Sequence, residues 1–81
     1  MNKKHKIIIY GTRECPFTQK AIEYIEQKEL KFDFNDVVEN FNKKEEMIDI
    51  SGQHTIPVIK VNDVVIVGFD SAKIRKQICI K

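Results

Sequence analysis

The chain has no tryptophan, and its 81 residues include only two prolines, three glycines and two cysteines. So few prolines and glycines, with 42% hydrophobic and 32% charged residues, exclude a fibrous or disordered chain. Cys15 and Cys79 are too few and too far apart for a disulfide framework, which places the chain in a reducing compartment. Two cysteines and two scattered histidines also lack the paired spacing of a four-ligand metal site, so no metal is expected within one chain and only a site shared between chains stays open. A one-sided charge is missing too. Fourteen Lys and Arg face twelve Asp and Glu, mixed along the chain except at NKKHK and KKEE, which argues against a nucleic-acid partner. The apolar run after NKKHK extends only from Ile7 to Tyr10, short of a signal-peptide core or a membrane span. What remains is one soluble cytoplasmic domain, 1–81, with a single modest core.

The apolar residues that are present mark out elements. KIIIY, closed by Gly11, is too short for a helix and rich in β-branched residues, so it reads as a buried strand. Phe17, Ala21, Ile22, Ile25 and Leu30 recur at helical spacing, and Pro16 suits the first turn of that helix. KFDFNDVV puts Phe32 and Phe34 on one face of a second strand. Phe41, Met47, Ile48 and Ile50 mark a polar second helix, capped by Asn40 or Asn42 and ended by Gly52. PVIKV, the turn ND and VVIV form a hairpin ended by Gly68. A third helix follows, with Asp70 or Ser71 as its cap and Ile74, Ile78 and Ala72 on its inner side. The order is β-α-β-α-β-β-α, with the first two strands parallel through a crossover and the hairpin completing a mixed sheet.

Chemistry is concentrated at ECPFT. Cys15 falls in the turn from strand to helix, close to unpaired backbone N–H groups and the positive end of the helix dipole. With Arg13 and Lys20 nearby, this placement lowers a thiol pKa from about 8.5 towards neutrality. The competing reading is a small buried hydrophobe. TIPV favours the reactive one, because a proline opening an internal strand cannot join the ladder. A cis bond before Pro57 is one reason for it to be there, and a trans proline on an edge strand is the other.

Three motifs in one order, CPFT, TIPV and VGFDS, resemble a glutaredoxin over essentially the whole chain, and SGQHTIPVI with VIVGFD is similar to the short bacterial redoxins of that family. The resemblance implies the thioredoxin-like α/β fold, a four-stranded mixed sheet with helices on both faces. It also implies a monomeric enzyme, a glutathione-disulfide oxidoreductase with glutathione as co-substrate. Cys15 would form the mixed disulfide, Pro57 would be cis, and Ile56 would offer its backbone to the cysteinyl part of glutathione beside Thr55. Asp70 and Ser71 would hold the γ-glutamyl end, and Phe17 would wall the groove. Two positions depart from the family pattern: Thr12 stands where Lys is common, with Arg13 as a substitute, and His54 stands near the place of an Arg.

Thr18 occupies the position of the second cysteine in Cys-x-x-Cys. No internal resolving sulfur is available there, so the expected cycle is monothiol: glutathione mixed disulfides of proteins or small molecules are reduced through a Cys15–glutathione intermediate. Two alternatives are an iron–sulfur cluster carrier bridging two chains through Cys15 and glutathione, and a thioredoxin-fold binding module without catalysis. Pro16 and the missing tryptophan count against the first. Cys79, at the end of the third helix, is expected to be a bystander thiol.

Overall fold

The isoleucine run near the start of the chain forms the centre of the structure, a computed structural model in which residues 6–78 are described. Cys79 and the basic NKKHK start up to His5 lie outside the described residues. The elements are β1 (Ile7–Gly11), α1 (Pro16–Gln27), β2 (Asp33–Asp36), α2 (Phe41–Ser51), β3 (Val58–Val61), β4 (Val64–Val67) and α3 (Ser71–Ile78). Their order in the sheet is β2-β1-β3-β4, with β1 parallel to β2 and antiparallel to β3, and β3 antiparallel to β4.

The two-residue alternation of a strand divides the core into two layers. Ile7, Ile9, Ile59, Val61 and Ile66 face one side, where they pack with Ala21, Ile22 and Ile25 of α1 and Ile74 of α3. Tyr10 and Val58 face the other, against Met47 of α2, with Ile8 and Val65 packed beside them. Helices therefore cover both faces, and β1, buried from both sides, needs its unbroken apolar run.

Local chemistry fixes the boundaries and corrects several expectations. Leu30 lies beyond α1, which ends at Gln27. Glu29 adopts φ 59°, its N–H bonds to Glu26 O at 2.9 Å, and the Leu30 N–H bonds to Ile25 O at 3.4 Å. This Schellman ending folds Leu30 back onto the apolar layer that holds Ile25, so the helical spacing continued past the helix itself. The second strand stops at Asp36 rather than running on through Val37 and Val38. Asp36 Oδ1 accepts the N–H groups of Val38 and Glu39 at 2.9 and 3.1 Å, and this turn takes the chain off the sheet. Phe41 is 68% exposed rather than a core position of α2.

The caps are also decided. Asn40 accepts the Lys43 N–H at 3.2 Å, and Gly52 closes α2 at φ 76°. Asp70 Oδ1 accepts the Lys73 N–H at 3.1 Å at the start of α3, while Ala72 on that helix is exposed. In the hairpin, Asn62 turns at φ 55° and exchanges bonds with the Lys6 backbone, its N–H to Lys6 O at 2.8 Å and its Oδ1 from the Lys6 N–H at 3.0 Å.

Candidate active site

Strand registers bring the sequence motifs to one end of the sheet. Tyr10 lies opposite Val58, Val58 opposite Val67, and Gly11 beside Asp36. The carboxyl ends of β1, β2 and β4, the entry to β3 and the amino ends of α1 and α3 thus meet there. Cys15, the Thr55-Ile56-Pro57 loop and the Asp70-Ser71 turn all leave from this end.

Cys15 is the N-cap of α1, with extended φ −83° and ψ 123°, and Pro16 is the first helical residue. Its N–H donates to Thr12 O at 3.1 Å and its carbonyl accepts the Gln19 N–H at 3.0 Å, so the main chain is anchored on both sides of the sulfur. An N-cap side chain points to the second and third helical N–H groups. Here those belong to Phe17 and Thr18. The Thr18 N–H lowers the Cys15 thiol pKa most, partial burial opposes it, and the Thr18 hydroxyl and the Phe17 N–H lower it further. The cations expected to help are engaged elsewhere. The Arg13 guanidinium lies 4.6 Å over the Phe34 ring, and the Lys20 ammonium lies 5.5 Å over Phe17.

Thr18 itself is fully buried, and its Oγ1 has no hydrogen-bond partner. It packs against Gly11 so closely that a Cβ at Gly11 would stand 2.5 Å from Oγ1 and 2.9 Å from Cγ2. The position that lacks a second sulfur is therefore a tightly held hydroxyl. Its residue type was read from the sequence, but its contact with Gly11 was not.

The Ile56–Pro57 bond is cis and Pro57 is buried, which decides between the two readings of TIPV. Pro57 O accepts the Gly68 N–H at 2.7 Å, where Gly68 takes φ 83°, and this bond ties the loop to the end of β4. Ile56 is half-buried, and no described residue is bonded to its N–H or C=O. Thr55 and His54 are exposed beside it, and Phe17 is 57% exposed. At α3, the Asp70 side chain is occupied by the Lys73 N–H, which leaves the first-turn N–H groups of Ser71 and Ala72 without an intrahelical acceptor.

A groove of about 360 Å³ runs from this loop to the amino end of α2, lined by Val37, Val38, Phe41, Lys44, His54 and Ile56 over a floor of Met47. Val38 and Lys44 were not singled out in the sequence, and Phe41 was read only as an apolar position of the second helix. An aromatic at the first residue of a polar helix, with no apolar partner at helical spacing before Met47, was the available signal. A larger cavity, about 600 Å³ between Lys6, Glu26, Leu30, Lys31 and Phe32, lies at the opposite end of the sheet and has no cysteine in its lining. Among the described residues, no three His, Cys, Asp or Glu side chains group to hold a metal ion. No helix among them is long and apolar enough to cross a membrane.

A mixed four-stranded sheet with a cysteine capping a helix opposite a cis-proline defines a thiol redox protein of thioredoxin-like architecture. The glutaredoxin family model matches residues 7–66. An uncharacterized glutaredoxin-like 8.6 kDa protein of the rubredoxin operon of Clostridium pasteurianum is 39% identical over 72 residues, 89% of this chain and 96% of its own length. The chain belongs to the glutaredoxin family. Solved structures agree on the fold. A glutaredoxin of Archaeoglobus fulgidus superposes with TM-score 0.82 at 21% identity, covering 89% of this chain and 84% of its own. The glutaredoxin-like NrdH-redoxin of Escherichia coli, described with a thioredoxin-like activity profile, superposes with TM-score 0.77 at 21% identity, covering 88% and 92%.

Proposed function

We propose that this protein is a glutathione-dependent thiol–disulfide oxidoreductase that works with one sulfur. The observation that carries the reading is the pairing of a Cys15 thiol held below its ordinary pKa with a sulfur-free, buried Thr18 at the position of an internal resolving thiol. The Cys15 thiolate attacks the glutathione sulfur of a mixed disulfide, forming a Cys15–glutathione disulfide and releasing the substrate as a thiolate. A second glutathione thiolate then attacks the glutathione sulfur of that intermediate, so Cys15 leaves as thiolate and oxidised glutathione is the product. One glutathione thiol enters per turn, and the second sulfur of the oxidised glutathione comes from the mixed disulfide itself, so the net reaction exchanges the substrate disulfide for that of oxidised glutathione.

The surrounding end of the sheet suits the co-substrate. Ile56 would pair its main chain with the cysteinyl unit, and the N–H groups at the start of α3, by Asp70 and Ser71, would face the γ-glutamyl carboxylate. The glycyl carboxylate would meet Lys44 and His54 along the groove, compensating for Thr12, because Arg13 is turned onto Phe34. Phe17 would border the sulfur on the open side. Reduction of a glutathionylated peptide should be saturable in glutathione and abolished by Cys15→Ser. Turnover sustained by a flavoprotein disulfide reductase but not by glutathione would overturn the assignment of the co-substrate.

A further inference from the structure

We propose that the Thr18 hydroxyl is a positioning group for Cys15: a donor that has no partner while the sulfur is a thiol or a disulfide and acquires one when the sulfur becomes a thiolate. The inference rests on Cys15 being the reacting sulfur, not on which thiol resolves it.

Thr18 Oγ1 is the only buried side-chain oxygen or nitrogen among the described residues without a hydrogen-bond partner. Such groups are uncommon, and each calls for an explanation. The usual acceptors nearby are occupied or out of play. A threonine in a first turn commonly bonds to a carbonyl three or four residues back, but no such bond forms, and the Cys15 carbonyl accepts the Gln19 N–H. The third helical residue can reach back to the N-cap N–H, yet the Cys15 N–H is already given to Thr12 O. The sulfur of the same N-cap residue is what remains in reach.

Gly11 holds the side chain in this place, since its missing Cβ is the space that Thr18 Oγ1 and Cγ2 fill. The hydroxyl is therefore fixed by the end of β1 and not free to turn to water. Charged and titratable groups at this end of the sheet are otherwise committed or exposed: Arg13 on Phe34, Lys20 on Phe17, Asp36 and Asp70 in their own turns, with Glu14 and His54 on the surface. The groups that lower the Cys15 pKa are the N–H groups of Thr18 and Phe17 and the Thr18 hydroxyl, none of them a cation.

A donor of this kind favours both halves of the cycle. It raises the fraction of attacking thiolate, and it makes Cys15 a better leaving group when an outside thiol attacks the mixed disulfide. At the position where a dithiol enzyme keeps its resolving sulfur, this chain keeps a group that eases resolution from outside.

The test is the pH dependence of iodoacetamide alkylation, followed on the Cys15-containing peptide in the parent, Thr18→Val and Thr18→Ser. Removing a hydrogen bond to a charged sulfur should raise the midpoint by about one pH unit or more in Thr18→Val. The rate at the alkaline plateau should rise about threefold per unit, because nucleophilicity follows basicity. Thr18→Ser, which keeps the hydroxyl, should stay within a few tenths of a unit of the parent. A merely structural disturbance would change the rate without moving the midpoint in this pattern. If Thr18→Val does not fold, Thr18→Ala answers by the same two numbers. A parental midpoint in the variant lacking the hydroxyl overturns the proposal, and so does a Thr18→Ser midpoint displaced as far as that of Thr18→Val. No glutathione enters the measurement, so its failure is distinct from failure of the glutathione-dependent cycle.

Discussion

Gly11 shows how much of the site is set by a residue that touches no substrate. It closes β1 with its Cα against the Thr18 side chain, and an alanine there would place a methyl 2.5 Å from Oγ1 and 3.3 Å from Thr18 Cβ. Those neighbours belong to a buried β-branched side chain on the first turn of α1, which cannot rotate away without leaving its packing. Gly11→Ala should therefore push α1 from the end of β1, costing about 1–3 kcal/mol in urea unfolding, and should shift the Cys15 alkylation profile because the N-cap moves with the helix. Unchanged stability with an unchanged profile would mean that the close approach has no part in holding the thiol. In the sequence, Gly11 could be read as the end of a strand and Thr18 as the absence of a sulfur. Their contact could not be read, since it depends on the strand-to-helix turn that folds the six intervening residues back on themselves.

Among the helices, α2 buries little of its own length, as Met47 alone of its eleven residues is fully covered. Asn40 and Gly52 secure its ends, and one polar bond secures its middle: the Tyr10 hydroxyl, at the buried end of β1, donates to Glu46 Oε2, while Lys43 stands 3.5 Å from Oε1. Burial pushes the Tyr10 pKa far up, and the Glu46 hydrogen bond and charge add to it. The Tyr10 hydroxyl in turn holds the Glu46 carboxyl below its ordinary value against partial burial, with Lys43 and Lys60 assisting. A depressed carboxyl contributes stability that is present above its ordinary value of 4.5 and is lost as the pH falls through the folded-state value. Tyr10→Phe should thus cost about 1 kcal/mol at neutral pH, discounted for a half-exposed partner, and progressively less in acid. Urea midpoints at neutral and acid pH check this, and a difference independent of pH would rule out the carboxylate as the partner that matters. The order of these elements was legible because hydrophobic spacing switches cleanly between two and three-to-four residues. Their edges were less so. Leu30 keeps a helical spacing through a Schellman turn, Val37 and Val38 continue the alternation of a strand that Asp36 has already ended, and Phe41 borrows the look of a core residue while lining a groove.

At the scale of the whole molecule, the sheet turns three motifs from separate stretches of the chain into one site. Each motif has its own chemical reason, a cap, a cis-proline and a helix start, so each was visible before the fold was. The groove was not, because Val38, Phe41, Lys44 and His54 come from three segments that only the sheet and α2 bring alongside Ile56. The site holds a single described sulfur, Cys15, with Thr18 behind it and an open face towards Ile56. A partner disulfide should therefore end on Cys15 as a stable adduct rather than pass inward. Treated with oxidised glutathione, the protein should gain one glutathione at Cys15, seen by mass spectrometry of the intact chain and of its peptides, and Cys79→Ser should take up the same adduct with the same turnover. Cys15→Ser should take up none at that site. A product lighter by two hydrogens, with no adduct and with Cys15 joined to Cys79, would instead show that the chain carries its own resolving sulfur, and Cys79→Ser would then stall at the mixed disulfide.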